Sequence, residues 1–232
     1  MQYARKQSHE QSCGAAALMV ALAEMELLKW PETEIEKLSL EDHLWNQISV
    51  TIGKGRWSLP GLISIEATRH GADVAVLQDT GRLSQLAGSF REAAIFDVPE
   101  LVEYHEVALD RARSCGIRVL DLAASRFPGA MVAGVRLLTA FALSMDGGGI
   151  TLHWMLFRRS GDVIWTMDPS IGNNRPIPSE EFDGMFRRTR QLPTPIMPTP
   201  IGVAVLMRPD NNAPVAQSDA GCDRVPSEHG GE

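Results

Sequence analysis

Cys13 is the residue whose type and position most clearly indicate chemistry. It stands where a polar segment, residues 7–12, gives way to a long apolar run that begins with a glycine and three alanines. Alanine-rich sequence favours a helix, so we expect Cys13 at a helix N-terminus. The positive end of the helix dipole and unpaired backbone N–H groups would favour the thiolate there, the form that attacks carbonyl carbons. The alternative is a structural cysteine that starts a core helix.

A histidine and an aspartate near the other end of the chain could complete such a site. Residues 151–157 are rich in β-branched and aromatic side chains and contain His153. After a Gly-Asp turn, a second run of this kind, residues 163–168, ends at Asp168 before a proline. This pattern predicts a β-hairpin with Asp168 at the tip of its second strand, because proline cannot continue the ladder. We expect Asp168 to hold one ring nitrogen of His153 and leave the other for Cys13.

These motifs resemble those of the papain-like cysteine peptidases. Cys-Gly-Ala-Ala starting at Cys13, His-Trp at 153–154 and Asp-Pro at 168–169 are similar to the nucleophile, base and orienting residue of that superfamily. The nearest branch is the double-glycine leader peptidases of bacteriocin exporters and their stand-alone relatives, which place an oxyanion glutamine six residues before the nucleophile. Gln7 has that spacing from Cys13, and Gln11 is the less favoured donor.

The resemblance covers residues 7–28 and 150–207 and leaves out the middle of the chain. It implies an α+β, papain-like fold, in which an N-terminal helical half packs on a C-terminal antiparallel sheet with a cleft between them. The central helix is expected over residues 13–29, with Cys13 at its exposed tip. We expect one domain over residues 1–208. Residues 209–232 contain almost no large apolar side chains and are predicted to be a disordered tail.

Three further residues are candidates for contact with a substrate. Gly14 has no side chain and would allow a substrate backbone to come close to the nucleophile. Trp57 ends a segment with two glycines and two cations, residues 50–57, which we interpret as a loop. That loop could form a rim over the cleft or be a plain connector. Trp154 directly follows the candidate base.

The motifs favour cleavage of a peptide or isopeptide bond through an acyl-enzyme thioester, with Cys13, His153 and Asp168 as a triad. The same thioester could be handed to an amine, which would make the protein an acyltransferase in a biosynthetic pathway. A non-catalytic binding module on the same fold is the third hypothesis. The substrate would be a peptide, a protein or an acyl carrier.

Composition excludes several other classes of protein. The 232 residues carry a net charge of −7, which disfavours nonspecific nucleic-acid binding. The first residues contain no apolar signal core, and no apolar run reaches transmembrane length. The spacing of cysteines and histidines indicates no metal site, and we expect no cofactor. A cytoplasmic location fits, because a reducing compartment would keep Cys13 a free thiol. The sequence does not indicate an oligomeric state.

Overall fold

The computed structural model describes residues 3–53, 55–85, 98–144, 150–187 and 199–210. Its helices are α1 (Cys13–Glu24), α2 (Glu34–Ile48), α3 (Pro60–Arg69), α4 (Val98–Ser114) and α5 (Ser179–Arg187). Residues 80–85 are also helical, and a 3-10 helix covers Ala124–Ala130. Its strands are β1 (Ser49–Ile52), β2 (Gly55–Ser58), β3 (Ala72–Gln78), β4 (Arg118–Asp121), β5 (Arg136–Ser144), β6 (Ile150–Ser160), β7 (Val163–Asp168), β8 (Asn173–Ile177) and β9 (Thr199–Pro209).

Seven of these strands form one sheet in the order β4-β3-β9-β5-β6-β7-β8. Strands β3 and β4 run parallel, and the other neighbouring strands are antiparallel. The fold is therefore α+β as expected, but the sheet is mixed and not wholly antiparallel. The parallel pair arises because α4 lies between β3 and β4 in the chain, and a crossover of that length allows parallel pairing.

The sheet separates two apolar clusters. On one face, α1 packs in a cluster that also contains Leu138, Trp154 and Leu156. On the other face, phenylalanines from the 3-10 helix, β5, β6 and α5 contact one another, with ring centroids 5.1–6.3 Å apart. The sheet is thus covered on both sides, and α1 is held as a central helix against it.

Helix α1 ends at Glu24, five residues before the predicted end. Glu26 adopts a left-handed conformation with φ of 60°. The N–H of Leu27 donates to Leu22 O, and the N–H of Glu26 donates to Ala23 O. This pair of bonds is a Schellman motif, which satisfies the last carbonyls of a helix and turns the chain away.

The structure corrects two other expectations, one for residues 50–57 and one for the predicted tail. The segment interpreted as a loop over residues 50–57 is a β-hairpin of β1 and β2, with Val50 paired to Trp57, so the loop interpretation is wrong. Strand β9 continues to Pro209, so the predicted tail begins within a strand. The rest of that tail, residues 211–232, lies outside the described residues.

In the part of the chain that the structure describes, no helix is long and apolar enough to cross a bilayer.

Candidate active site

Cys13 is the first residue of α1, as its sequence context predicts, and its thiol is free. The residue is 4% exposed, so it lies beneath the surface and not at an exposed helix tip. Its Sγ accepts a hydrogen bond from the backbone N–H of Trp154 at 3.4 Å. A donor aimed at sulfur stabilises negative charge there more than it stabilises a neutral thiol.

The contact between Cys13 and Trp154 depends on where strand pairing stops. β7 pairs with β6 only from Leu156 to Ser160. Before Leu156, that edge of β6 has no paired strand in the described structure, and a backbone N–H on it is available for another acceptor. Sγ of Cys13 is the acceptor for Trp154, which places the candidate nucleophile against the edge of β6.

His153 and Asp168 are in direct contact. Nε2 of the His153 ring lies 2.7 Å from Oδ1 of Asp168. With Nε2 bound in this way, Nδ1 is the ring nitrogen left for Cys13, and the Cys13 side chain interacts with this imidazole. His153 is 7% exposed. The hairpin predicted from the sequence is present, with His153 on β6 and Asp168 as the last residue of β7.

The Asp168 carboxylate accepts further hydrogen bonds from its own turn. Ser170 donates to Oδ1 of Asp168 with both its backbone N–H, at 2.9 Å, and its hydroxyl, at 2.6 Å. Burial raises the pKa of Asp168, but the hydrogen bonds from His153 and Ser170 and the charge of His153 lower it to about 2. Asp168 is therefore ionised at neutral pH.

The His153 imidazole is held in its charged form. Burial disfavours the imidazolium, but hydrogen bonds to Asp168 and Cys13 and the charges of both partners raise the pKa of His153 to about 10. The Asp168 carboxylate and the Cys13 side chain, which can both carry negative charge, therefore flank the His153 imidazolium. Such an arrangement can stabilise a thiolate–imidazolium pair.

Gln7 lies near these residues, but its side-chain donors are occupied. Its Nε2 donates to the carbonyls of His9 and Glu10, both at 2.8 Å. Its Oε1 is buried and has no hydrogen-bond partner among the described residues. The backbone N–H of Gln7 donates to Pro169 O at 2.8 Å, which ties this segment to the turn that follows Asp168. In this conformation the Gln7 amide supports its own loop and presents no free N–H to a substrate.

A curated protein shares similarity with most of this chain. The chain is similar to a cysteine protease. It is 24% identical over 192 residues to Cysteine protease IpaJ of Shigella flexneri, a match that covers 74% of this chain and 66% of that protease, just under two thirds of its length. No family model matches the chain, and no solved structure matches it.

Gln11 lies in the loop before Cys13 and contacts the hairpin of β1 and β2, and Trp57 is part of that hairpin. Oε1 of Gln11 accepts a hydrogen bond from the backbone N–H of Arg56 at 2.6 Å, and Gln11 is exposed. Trp57 is half-buried on β2, with its indole beside Gly55. These contacts attach the loop before Cys13 to the hairpin.

Gly14 permits a close approach within the protein itself. A Cβ on Gly14 would lie 2.6 Å from Cβ and Oγ of Ser58 and 3.3 Å from Cδ1 of Trp154. Trp154 is 3% exposed, and its Nε1 donates to Ser58 O at 3.2 Å. The missing side chain of Gly14 is thus required by packing against Ser58, and Trp154 acts as a core residue next to the site.

Two residues at the site were not identified from the sequence. Ser170 stands two residues after Asp168, and an aspartate often receives hydrogen bonds at this spacing, so a local signal was present. Glu41 binds the loop before Cys13 from α2, and no local pattern indicates this long-range contact. In the described part of the chain, no three His, Cys, Asp or Glu residues are grouped as a metal site.

Proposed function

We propose that this protein is a cysteine peptidase-type hydrolase that cleaves a peptide or isopeptide bond, with Cys13 as nucleophile, His153 as acid and base, and Asp168 as the orienting residue. The observation that carries the proposal is the bond between Nε2 of His153 and Oδ1 of Asp168, which leaves Nδ1 for Cys13. Similarity to a cysteine protease supports the same class of chemistry.

Acylation follows from this geometry. The Cys13 thiolate attacks the carbonyl carbon of the scissile amide, a C–S bond forms, and the carbonyl electron pair moves to oxygen. When the tetrahedral intermediate collapses, the C–N bond breaks and His153 gives its proton to the leaving amine. The amine departs, and the acyl group remains on Cys13 as a thioester. Asp168 keeps the imidazole oriented and stays ionised.

Deacylation uses the neutral imidazole that acylation leaves behind. His153 takes a proton from water, and the resulting hydroxide attacks the thioester carbonyl carbon. The C–S bond breaks, the thiolate of Cys13 is restored and a carboxylic acid is released. The sum of the two steps is the addition of one water molecule across one amide bond.

The oxyanion needs donors at the start of α1. Among the described residues, the N-cap Ser12 makes no side-chain cap on α1, and we assign the backbone N–H of Cys13 as one oxyanion donor. Gln7 was the second donor expected from the sequence. It would serve only if its Nε2 released one of the carbonyls of His9 and Glu10.

Intact mass after stoichiometric iodoacetamide at mildly acidic pH tests the pair of Cys13 and His153. We expect single labelling at Cys13, located by peptide mapping, faster than that of glutathione under the same conditions. His153→Ala should slow labelling by about 100-fold, as expected for loss of an activating base. His43→Ala, at an exposed histidine, is the matched control and should leave the rate unchanged. Labelling no faster than glutathione and unaffected by His153→Ala would contradict the proposal.

Amide cleavage is tested with a library of peptides from a digested proteome. New N-termini found by mass spectrometry with the wild type and absent with Cys13→Ser would support a peptidase. If Cys13 is hyperreactive but no new terminus forms, hydrolysis of peptide bonds is the wrong reaction.

A further inference from the structure

Glu41 is a fully buried carboxylate in the middle of α2. Its Oε1 accepts from the backbone N–H of Ser8 at 2.7 Å and from the hydroxyl of Ser12 at 2.6 Å. Its Oε2 accepts from Nε of Arg5 at 2.9 Å and from the hydroxyl of Ser8 at 2.8 Å. One side chain on α2 therefore binds three residues of the segment that leads to Cys13.

The charge of Glu41 is compensated inside this network. Arg5 is 9% exposed and forms the ion pair with Glu41, and it also contacts Glu34 at 2.7 Å and Ser8 Oγ at 2.8 Å. A buried carboxylate is tolerated when it is paired and its remaining lone pairs accept hydrogen bonds. Removal of one member leaves the others buried without partners, so the network holds one conformation of residues 5–12.

The network also changes what Ser12 does. Ser12 occupies the N-cap position of α1, where a serine oxygen usually accepts from an N–H of the first turn. Here its Oγ donates to Glu41 and accepts from the N–H of His9 at 3.1 Å, and it makes no capping bond. In the described part of the chain, the first amides of α1, next to Cys13, consequently receive no side-chain cap from Ser12.

We propose that Glu41 is a positioning residue for the oxyanion site. It fixes the loop over residues 7–12 and withholds the Ser12 hydroxyl from the amides that would bind the oxyanion. This inference rests on the proposed function, because it concerns the same nucleophile. It gives α2, in the part of the chain that the resemblance does not cover, a role in the reaction.

Neighbouring residues of α2 act on the same loop. Asp42 lies 2.8 Å from Nε2 of His9, and the His9 ring stacks on Trp45 with centroids 5.0 Å apart. The Arg56 guanidinium also lies over the Trp45 ring, with Cζ 4.5 Å from the ring centroid. These contacts are closer to the surface than those of Glu41. They therefore hold the outer side of the loop before Cys13, and Glu41 holds its inner side.

Two reagents separate positioning of the oxyanion from activation of the thiolate. Iodoacetamide reacts when the sulfur displaces iodide, and no oxyanion forms. p-Nitrophenyl acetate reacts when the sulfur attacks the ester carbonyl carbon, the carbonyl oxygen gains negative charge, and p-nitrophenolate leaves with the electron pair of the broken C–O bond. Only the second reagent depends on amides aimed at the oxyanion.

Glu41→Gln keeps the size of the side chain and removes its charge. We expect the rate of Cys13 acetylation by p-nitrophenyl acetate to fall by at least about 10-fold, as for a modest misplacement of oxyanion donors. The rate of alkylation by iodoacetamide should stay within about 2-fold of the wild type, since oxyanion stabilisation is not needed for that displacement. Ser12→Ala removes one anchor of the loop but cannot cap α1, so it should show a smaller selective loss of acetylation. It keeps the test valid if Glu41→Gln does not fold.

Glu106→Gln is the matched control, because Glu106 is an exposed carboxylate on another helix, α4. It should change neither rate. Equal rates of acetylation in Glu41→Gln, Ser12→Ala and wild type would overturn the positioning role, and so would equal loss with both reagents. Failure of the wild type to react faster than glutathione with iodoacetamide would instead overturn the proposed function, so the two failures are distinguishable.

Discussion

His153 and Asp168 are joined by a contact of 2.7 Å between Nε2 and Oδ1, although they stand 15 residues apart on strands whose pairing has ended at Leu156 and Met167. The contact therefore belongs to side chains that extend beyond the ladder of β6 and β7. It fixes which ring nitrogen remains for Cys13, and it makes the charge of His153 depend on Asp168.

The protonation of His153 is the most direct test of that dependence. Its pKa is raised to about 10, and Asp168 is one of the two partners that raise it. Asp168→Asn removes the negative charge, so we expect the pKa of His153 to fall by about 1–3 units. NMR titration of the imidazole measures the shift. Cys13→Ser should lower the pKa as well, and an unchanged titration in both variants would contradict the geometry.

Stability should depend on pH through the same two groups. Because the pKa of His153 is raised from 6.5 to about 10, its stabilisation is complete below pH 6.5 and is lost as the pH rises through about 10. Because the pKa of Asp168 is lowered from 3.8 to about 2, its stabilisation is present above pH 3.8 and is lost as the pH falls toward 2. Urea unfolding at a series of pH values measures both. In His153→Ala the alkaline loss due to this residue should disappear.

Gly14→Ala tests the packing of α1 against β2. The new Cβ would lie 2.6 Å from Cβ and Oγ of Ser58, so the free energy of unfolding should fall by about 1–3 kcal/mol. Gly184→Ala, in helix α5 with no atom of the described residues within 4 Å of the new Cβ, should raise it by about 0.5–1 kcal/mol. Thermal and urea unfolding compare the two. The double variant Gly14→Ala with Ser58→Gly should recover most of the loss, and no recovery would mean that the clash lies elsewhere.

Glu24→Gln tests the charges at the far end of α1. Glu24 Oε2 lies 2.9 Å from Nε of the fully buried Arg158 and 3.0 Å from Nε of Arg136. Loss of the carboxylate removes its ion pair with a buried guanidinium, so we expect unfolding to become easier by about 3–5 kcal/mol. Glu26→Gln is the control two residues away and should change stability by less than about 0.5 kcal/mol. A similar small effect for Glu24→Gln would show that this ion pair does not hold α1.

Much of the candidate site was predictable because its signals are local. The start of α1 at Cys13 follows from a polar segment that meets an alanine-rich run. The hairpin with His153 and Asp168 follows from two β-rich runs separated by a turn and ended by a proline. These patterns depend on residues a few positions apart, so they can be recognised in the sequence directly. The α+β class follows from the same runs.

Other features depend on partners that are distant along the chain. Gln7 has the spacing from Cys13 that the resemblance implies for an oxyanion donor, but whether its amide is free depends on the path of the loop. The parallel pairing of β3 with β4 depends on which strands become neighbours in the sheet, and the local sequence pattern does not determine this.

By itself, then, the sequence determined the residue types that can do the chemistry and the elements that carry them. Only the tertiary structure decided that Glu41 of α2 binds Ser12, that Gly14 faces Ser58, and that the Trp154 N–H meets the sulfur of Cys13. The physical reason is that hydrophobic burial, which drives the packing of α1 against the sheet, is non-directional and does not specify partners. The individual contacts are fixed only when whole elements have packed together and each buried polar group must find a partner.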